Sequence, residues 1–159
     1  MDKLSKSFML LISLPVVMLV LALLFIFRGV ISGLLVPMPD INKLGSRELV
    51  KTYYKRISLG DTRGADKCLS DSYRRELSKP NVIRESVLWL DDLNVSKGVR
   101  MKLYDQRNTN YDELQFVVKY SAWYLEPSGA GDGIQLRFVY VAKETKDSPW
   151  RIISIGSGP

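Results

Sequence analysis

Two adjacent carboxylates, Asp91 and Asp92, are the residues of this chain best suited to acid/base chemistry. They fall within a predicted β-strand, where successive side chains point to opposite faces, so one of the two is expected to face the domain interior or its rim. Burial against Trp89 or Trp123 would make that carboxylate a stronger base and a candidate general base. The alternative is a strand end or bulge at which both carboxylates are in water.

Aromatic side chains are the candidates for lining a ligand pocket between helices and sheet. Those selected by their positions in predicted elements are Tyr53, Trp89, Tyr120, Trp123 and Tyr140. Tyrosine hydroxyls in such a pocket would donate hydrogen bonds, as an oxyanion hole requires. An ordinary apolar core is the alternative, because core residues recur at the same helical and strand spacing.

The residue types that the chain lacks exclude much other chemistry. Among its 159 residues there is no histidine and only one cysteine. Without histidine there is no Ser-His or Cys-His nucleophile pair and no imidazole metal ligand. Cys68 alone forms neither an internal disulfide nor a multi-cysteine zinc site, and we expect it to be a small core residue. We therefore predict no metal and no cofactor, and favour a non-catalytic domain.

The N-terminal region predicts a membrane segment. Residues 8–27 read FMLLISLPVVMLVLALLFIF and contain no charged side chain. A helix of this length covers about 30 Å, the thickness of a bilayer core, so residues 1–28 are predicted to form a single-pass transmembrane anchor. Lys3 and Lys6 precede the segment and only Arg28 closely follows it, which favours a cytoplasmic N terminus and an extracytoplasmic domain at the cell membrane. A cleaved signal peptide and a secreted product are the alternative.

The rest of the chain predicts a linker and one domain. Residues 29–45 are expected to form the linker, because Pro37, Pro39 and the glycines discourage a helix there. Apolar spacing over residues 46–159 predicts first a helix with Ser46 as its N-cap and Gly60 closing it, then helices at 62–69 and 72–77. Strands are predicted at 86–95, 100–106, 111–126, 134–144 and within 149–159. Helices followed by long antiparallel strands indicate an α+β domain with the helices on one face of a curved sheet.

Three phrases of the sequence resemble a known superfamily. YYKRISLGDTRGADKCLSD (residues 53–71), a helix that ends at a glycine before a short second helix, resembles the opening of the NTF2-like superfamily, a cone-shaped α+β fold. NVIRESVLWLDDLNV (residues 81–95) and SPWRIISIGSGP (residues 148–159) are similar to an uncharacterised extracytoplasmic family of Gram-positive bacteria within it. The resemblance implies about three helices on a curved antiparallel sheet, and pairing of two copies through the open sheet face. It does not choose between enzymes and binding domains, because the superfamily contains both.

Charge is concentrated in the helical half of the domain. Residues 43–84 carry eleven Lys/Arg and five Asp/Glu, a net charge of +6, whereas residues 85–159 carry nine and ten, a net charge of −1. A basic helical layer close to a membrane anchor favours contact with anionic lipid or a cell-wall polymer. The alternative is a solvated helix face on which Glu48 and Asp66 partly pair the cations. Nucleic acid is not an expected partner, since no recognition motif is present.

These observations favour a membrane-anchored extracytoplasmic protein whose domain binds or assembles. The predicted partners are a small apolar ligand inside the domain, another envelope protein, or a second copy of the chain. Two further interpretations stay open. One is an enzyme that uses Asp91 or Asp92 for acid/base chemistry, and the other is a component of a multi-protein envelope assembly.

Overall fold

The computed structural model describes residues 15–25, 27–79, 87–101, 112–124 and 131–157. Its helices are residues 15–25 (α1), Arg28–Leu35 (α2), Ser46–Ser58 (α3), Thr62–Asp66 (α4) and Asp71–Leu77 (α5), with a 3-10 turn at Ile41–Lys43. Its strands are Val87–Val95 (β1), Val99–Arg100 (β2), Asp112–Tyr124 (β3), Gly133–Lys143 (β4) and Arg151–Gly156 (β5). The α+β class and the order of helices before strands are confirmed.

The strands form one antiparallel sheet in the order β1-β3-β4-β5, and β2 pairs with β3 on the same side as β1. β3 and β4 are paired continuously from Asp112↔Lys143 to Ala122↔Gly133. β5, the apolar strand near the end of the chain, completes the sheet beside β4. The strand predicted at 100–106 is only partly described: β2 ends at Arg100, and residues 102–110 lie outside the described residues.

The outer edge of β5 is covered by the chain between α4 and α5. Leu69 forms a parallel bridge with Ile152, in which the Ile152 amide donates to the Cys68 carbonyl at 3.0 Å and the Ser70 amide donates to the Ile152 carbonyl at 2.8 Å. Further along the strand, the Ile155 amide donates to the Tyr73 hydroxyl at 3.1 Å. The helical layer is thus hydrogen-bonded to the sheet edge as well as packed on one of its faces.

The core lies between α3 and the sheet. α3 forms because its apolar residues recur at helical spacing, and Gly60, in the left-handed conformation with φ 74°, ends it as predicted. Its N-cap is Gly45, so Ser46 is the first helical residue and not the predicted cap. The buried apolar cluster consists of Leu49, Val50, Tyr54, Cys68, Leu69, Val95, Phe116, Val118, Tyr120, Ala122, Val139, Val141 and Ile152. Each fully buried Val, Leu, Ile or Phe side chain contributes about 1.5–3 kcal/mol by leaving water, so this cluster is the main source of stability.

The more apolar side of β4 faces away from the helices. Because Val118 pairs with Arg137 and Tyr120 pairs with Gln135, the odd-numbered residues of β4 face the core. The even-numbered apolar residues, including Ile134 and Leu136, therefore lie on the opposite face of the sheet. The sequence pattern alone favours the opposite orientation, because the even-numbered set is the more apolar one and the odd-numbered set contains Gln135 and Arg137.

The predicted membrane segment is only partly described, since residues 8–14 and 26 lie outside the described residues. Among the described residues, no helix is both long and apolar enough to cross a membrane.

The first part of the predicted linker is helical, contrary to expectation. Helical hydrogen bonds continue from α1, with the Phe27 amide donating to the Leu23 carbonyl at 2.9 Å and the Ile31 amide to the Phe27 carbonyl at 3.0 Å. α2 then runs to Leu35 and ends before Pro37, so the prolines stop the helix whereas the glycines do not. The remainder of the linker packs on the domain core through Met38, Ile41 and Leu44.

Candidate functional site

Asp91 and Asp92 both lie in solvent at a bulge in β1. The pairing with β3 shifts between Asp91 and Asn94, and Asp92 has a positive φ of 53°. The Asp92 amide donates to the Asp91 carboxylate at 2.8 Å, which supports this turn of the backbone. Both side chains are exposed, so neither has the burial that the general-base hypothesis required.

The face of the sheet away from the helices carries exposed apolar side chains. Trp89 pairs directly with Trp123, and the two are 60% and 57% exposed. On the neighbouring strand, Ile134 and Leu136 are 71% and 47% exposed. We call these four residues, with Lys119 and Asp91 beside them, the outer sheet face.

The candidate pocket aromatics are divided between the two faces of the sheet. Tyr120 lies inside, with its ring centroid 5.1 Å from that of Tyr54, whose ring is in turn 5.2 Å from Tyr53. Trp89 and Trp123 belong to the outer sheet face. Tyr140 is on that side too, half-buried, and its hydroxyl accepts a hydrogen bond from Gln115 Nε2 at 2.9 Å. The five predicted residues therefore do not converge on one pocket.

The interior also buries two polar side chains of β4 that the sequence did not single out. Arg137 and Gln135 face the helical layer beside Val118 and Tyr120. Gln135 Nε2 donates to the Gly131 carbonyl at 2.8 Å, and Arg137 Nη1 donates to the Leu136 carbonyl at 3.3 Å. The sequence did not indicate that they are buried, because their neighbours Ile134 and Leu136 are the more apolar residues. Only the register with β3 shows that Gln135 and Arg137 face the core.

A second feature that the sequence pattern did not indicate is a buried ion pair at the C-terminal end of α3. Arg56 and Asp61 have side chains only 3% and 11% exposed, with Nη1 and Oδ2 3.1 Å apart. Arg56 also donates to the Val36 carbonyl at 3.0 Å, and Asp61 accepts from the Gly64 amide at 2.8 Å as the N-cap of α4. The pair therefore joins α3, α4 and the start of the linker.

Beside this ion pair, the linker and α3 enclose a cleft of about 300 Å³. Its linker wall is formed by Val36, Pro37 and Pro39, and its helix wall includes Lys51, Thr52 and Lys55. One wall is thus apolar, and the other carries cations, a hydroxyl and one carboxylate, that of Glu48. Such a cleft suits a ligand with an anionic group next to an apolar part.

Cys68 is fully buried in the core, as expected. Burial raises the pKa of its thiol from 9.0 to about 11, against the opposing effect of the positive charges of Arg151 and Arg56. A thiol of this kind is protonated at neutral pH and is a poor nucleophile. In the described part of the chain, no group of three or more His, Cys, Asp or Glu side chains is placed to hold a metal ion.

Most of this domain matches a known protein family. The sequence model of that family, a domain of unknown function (DUF4829), matches residues 47–156. The chain belongs to this family. The DUF4829 match contains β1 to β5, α4, α5 and nearly all of α3, so the outer sheet face and the Arg56–Asp61 pair lie within it, whereas the linker wall of the cleft precedes it. Comparisons with curated proteins and with solved structures found no match.

Proposed function

We propose that this DUF4829 chain is a membrane-anchored extracytoplasmic protein whose NTF2-like domain binds or assembles without catalysis, and that two copies pair through the outer sheet face. The observation that carries the proposal is the exposure of Trp89, Trp123, Ile134 and Leu136 together on one face of the sheet. Contiguous exposed apolar side chains of this size are typical of interaction sites, and tryptophan is enriched in them.

Anchoring in the membrane is supported by the side chains of α1. Every residue from 15 to 25 is exposed, and most of them are large and apolar. Exposed apolar surface of this extent requires a cover, and lipid is the cover that an uncharged N-terminal stretch favours. The Lys3, Lys6 and Arg28 distribution supports an extracytoplasmic domain.

An NTF2-like arrangement is supported by the order and packing of the elements. α3, α4 and α5 come before the long strands, and α3 packs on one face of the antiparallel sheet. The last strand, β5, closes the sheet and is tied to the helical layer. The interior is occupied by its own side chains, since Tyr54 and Tyr120 are in ring contact there, which favours an assembly role over a ligand inside the domain.

A second copy of the chain is the occupant that the outer sheet face fits best. The face combines its apolar residues with one base, Lys119, and one acid, Asp91, both exposed. When two identical faces meet about a two-fold axis, the base of each copy can approach the acid of the other. Because the face carries one base and one acid, it has no net charge that would repel an identical face. Because Asp91 and Asp92 are both exposed, no observation favours the acid/base alternative.

The test is the mass of the full chain in detergent, measured by light scattering across micromolar concentrations. We expect dimers of the natural chain and monomers of Trp123→Glu, because a central interface tryptophan typically contributes about 2 kcal/mol or more, roughly 30-fold in affinity. Thr62→Glu introduces the same residue at an exposed position on the helical layer and should stay dimeric. A monomeric natural chain, or a dimeric Trp123→Glu, would overturn pairing through this face.

A further inference from the structure

We infer that the cleft between the linker and α3 binds the phosphate of an anionic phospholipid head group. The inference rests on the membrane anchoring of the proposed function and is independent of the pairing of two copies. It assigns a ligand to a cleft that lies at the junction of the α2 helix and the domain.

The cleft carries a positive charge that no acidic side chain within it fully balances. Lys51 pairs with Glu48 at 2.9 Å, but both side chains are exposed, so the pair is weak and can be exchanged. Arg56 is already occupied by Asp61 and by the Val36 carbonyl. The ammonium group of Lys55 forms no ion pair with any residue in the described ranges. One net positive charge, on Lys51 and Lys55 together, is therefore available to an anion.

The donors in the cleft suit a phosphate. Lysine ammonium groups bind phosphate as point charges, and the hydroxyl of Thr52, one residue from Lys51, adds a neutral donor. The opposite wall, made of Val36, Pro37 and Pro39, offers apolar contacts and only a few polar groups. A phosphodiester with a glycerol and acyl chain attached matches both walls, whereas a free inorganic anion would use only the basic one.

The position of the cleft favours lipid as the source of that phosphate. It begins at Val36, the residue after α2, and the last residues of α2, Leu34 and Leu35, are 81% and 76% exposed. Exposed leucines that continue from an apolar helix are expected to lie at the boundary of head groups and acyl chains. With α2 at that depth, a cleft that begins at Val36 would lie next to the layer of lipid phosphates, where each cation contributes to binding of anionic lipid.

The buried ion pair keeps the cleft in place. Arg56 holds the Val36 carbonyl, and Gly33 of α2 comes so near Asp61 that a Cβ at Gly33 would be 3.6 Å from the Asp61 carboxyl carbon. The linker wall and the helix wall are therefore fixed relative to each other before a lipid enters, which lowers the cost of ordering on binding.

The experiment uses the full chain reconstituted in phosphatidylcholine bilayers with a minority of phosphatidylglycerol, followed by native mass spectrometry of the lipids that the chain retains. We expect the natural chain to retain phosphatidylglycerol in preference to phosphatidylcholine. Lys55→Gln should weaken that preference about fivefold, as expected for one well-placed cation. Lys67→Gln, which removes another exposed lysine outside the cleft, should leave it unchanged.

Two outcomes would overturn the inference, and they can be told apart. Equal retention by the natural chain, Lys55→Gln and Lys67→Gln would show that the cleft does not select anionic lipid. Displacement of the bound phosphatidylglycerol by millimolar inorganic phosphate would show a free-phosphate site. Flotation of the same samples with liposomes reports anchoring separately: a chain that does not float contradicts both this inference and the anchoring on which it rests.

Discussion

At the scale of single residues, Arg56 and Asp61 form a buried contact whose loss should be costly. Asp61→Asn keeps the shape of the side chain and its capping of α4 but leaves the Arg56 guanidinium buried without a counter-charge. Removing one partner of a buried pair typically costs about 3 kcal/mol or more. We therefore expect Asp61→Asn to lower the free energy of unfolding by about that amount, measured by thermal unfolding of the full chain in detergent.

Asp71→Asn is the matched control for this change. Asp71 pairs with Arg74 within α5, and the side chains are 81% and 43% exposed, so the pair is solvated on the protein surface. Exposed pairs contribute about 1 kcal/mol at most, and this substitution should have little effect on stability. Equal losses from the two substitutions would contradict the importance of burial at Arg56.

The thiol of Cys68 predicts how stability depends on alkaline pH. Its pKa is about 11 in the folded chain and near 9.0 when the thiol is exposed. Between these values the unfolded chain binds fewer protons than the folded one, so stability is full below about pH 9 and falls as the pH rises toward 11, by up to about 1.4 kcal/mol per pH unit. We expect the melting temperature of the natural chain to fall more steeply from pH 8 to 11 than that of Cys68→Ala. Parallel curves would contradict this.

The burial of a side chain could be predicted from the sequence where neighbouring residues determine it, but not where contacts with distant parts of the fold determine it. Cys68 was predicted to be in the core, because the helix predicted at 62–69 would carry it on its apolar side; it is buried, although α4 ends earlier, at Asp66. The burial of Arg56 was not predicted, because an arginine in a basic helix is normally solvated and its partner, Asp61, lies beyond the helix end. Strand alternation predicts that Tyr120 and Trp123 lie on opposite faces of the sheet. Which of the two faces the helices cover is seen only in the structure.

At the scale of elements, the connection between β1 and β2 packs directly on the core. A Cβ at Gly98 would lie 2.8 Å from Cζ and 3.0 Å from Cε1 of Phe116, a ring that is fully buried. Because the ring has no space to move, we expect Gly98→Ala to destabilise the domain by about 2 kcal/mol. Gly45→Ala is the control, since a Cβ at Gly45 has no neighbour within 4 Å. The two variants are compared by thermal unfolding. If Gly98→Ala is as stable as Gly45→Ala, the connection does not pack closely on Phe116.

The boundaries of β1, β3 and β4 were predicted within a few residues, because alternation and flanking turns mark them. The side of β4 that is buried was not predictable in the same way. Its alternating pattern places Phe138 and Tyr140 with Ile134 and Leu136, and only the pairing with β3 shows that this side is the outer one. The linker illustrates the same limit, since propensity alone favoured a break at Gly29 and Gly33, whereas the helix continues through both to Leu35.

At the scale of the whole molecule, the order of elements was enough to predict an α+β domain with one layer of helices and one sheet. The relation between the linker and the domain was not, because it depends on a hydrogen bond from Arg56 to Val36 and on the packing of Met38, Ile41 and Leu44. These contacts place the end of α2 against the domain. The domain is thereby oriented relative to α2, with the basic cleft at the junction.

The covered edge of β5 has a consequence for how many copies can associate. Cys68, Ser70 and Tyr73 occupy backbone groups of β5 that a further strand would need, and β1 is interrupted by two shifts in register. Neither strand therefore offers a regular row of free amides and carbonyls on which a sheet could be extended from one molecule to the next. Contact through the outer sheet face would use the same patch on both partners. Assembly would then be complete at two copies, and the particle mass should reach a plateau instead of rising with concentration.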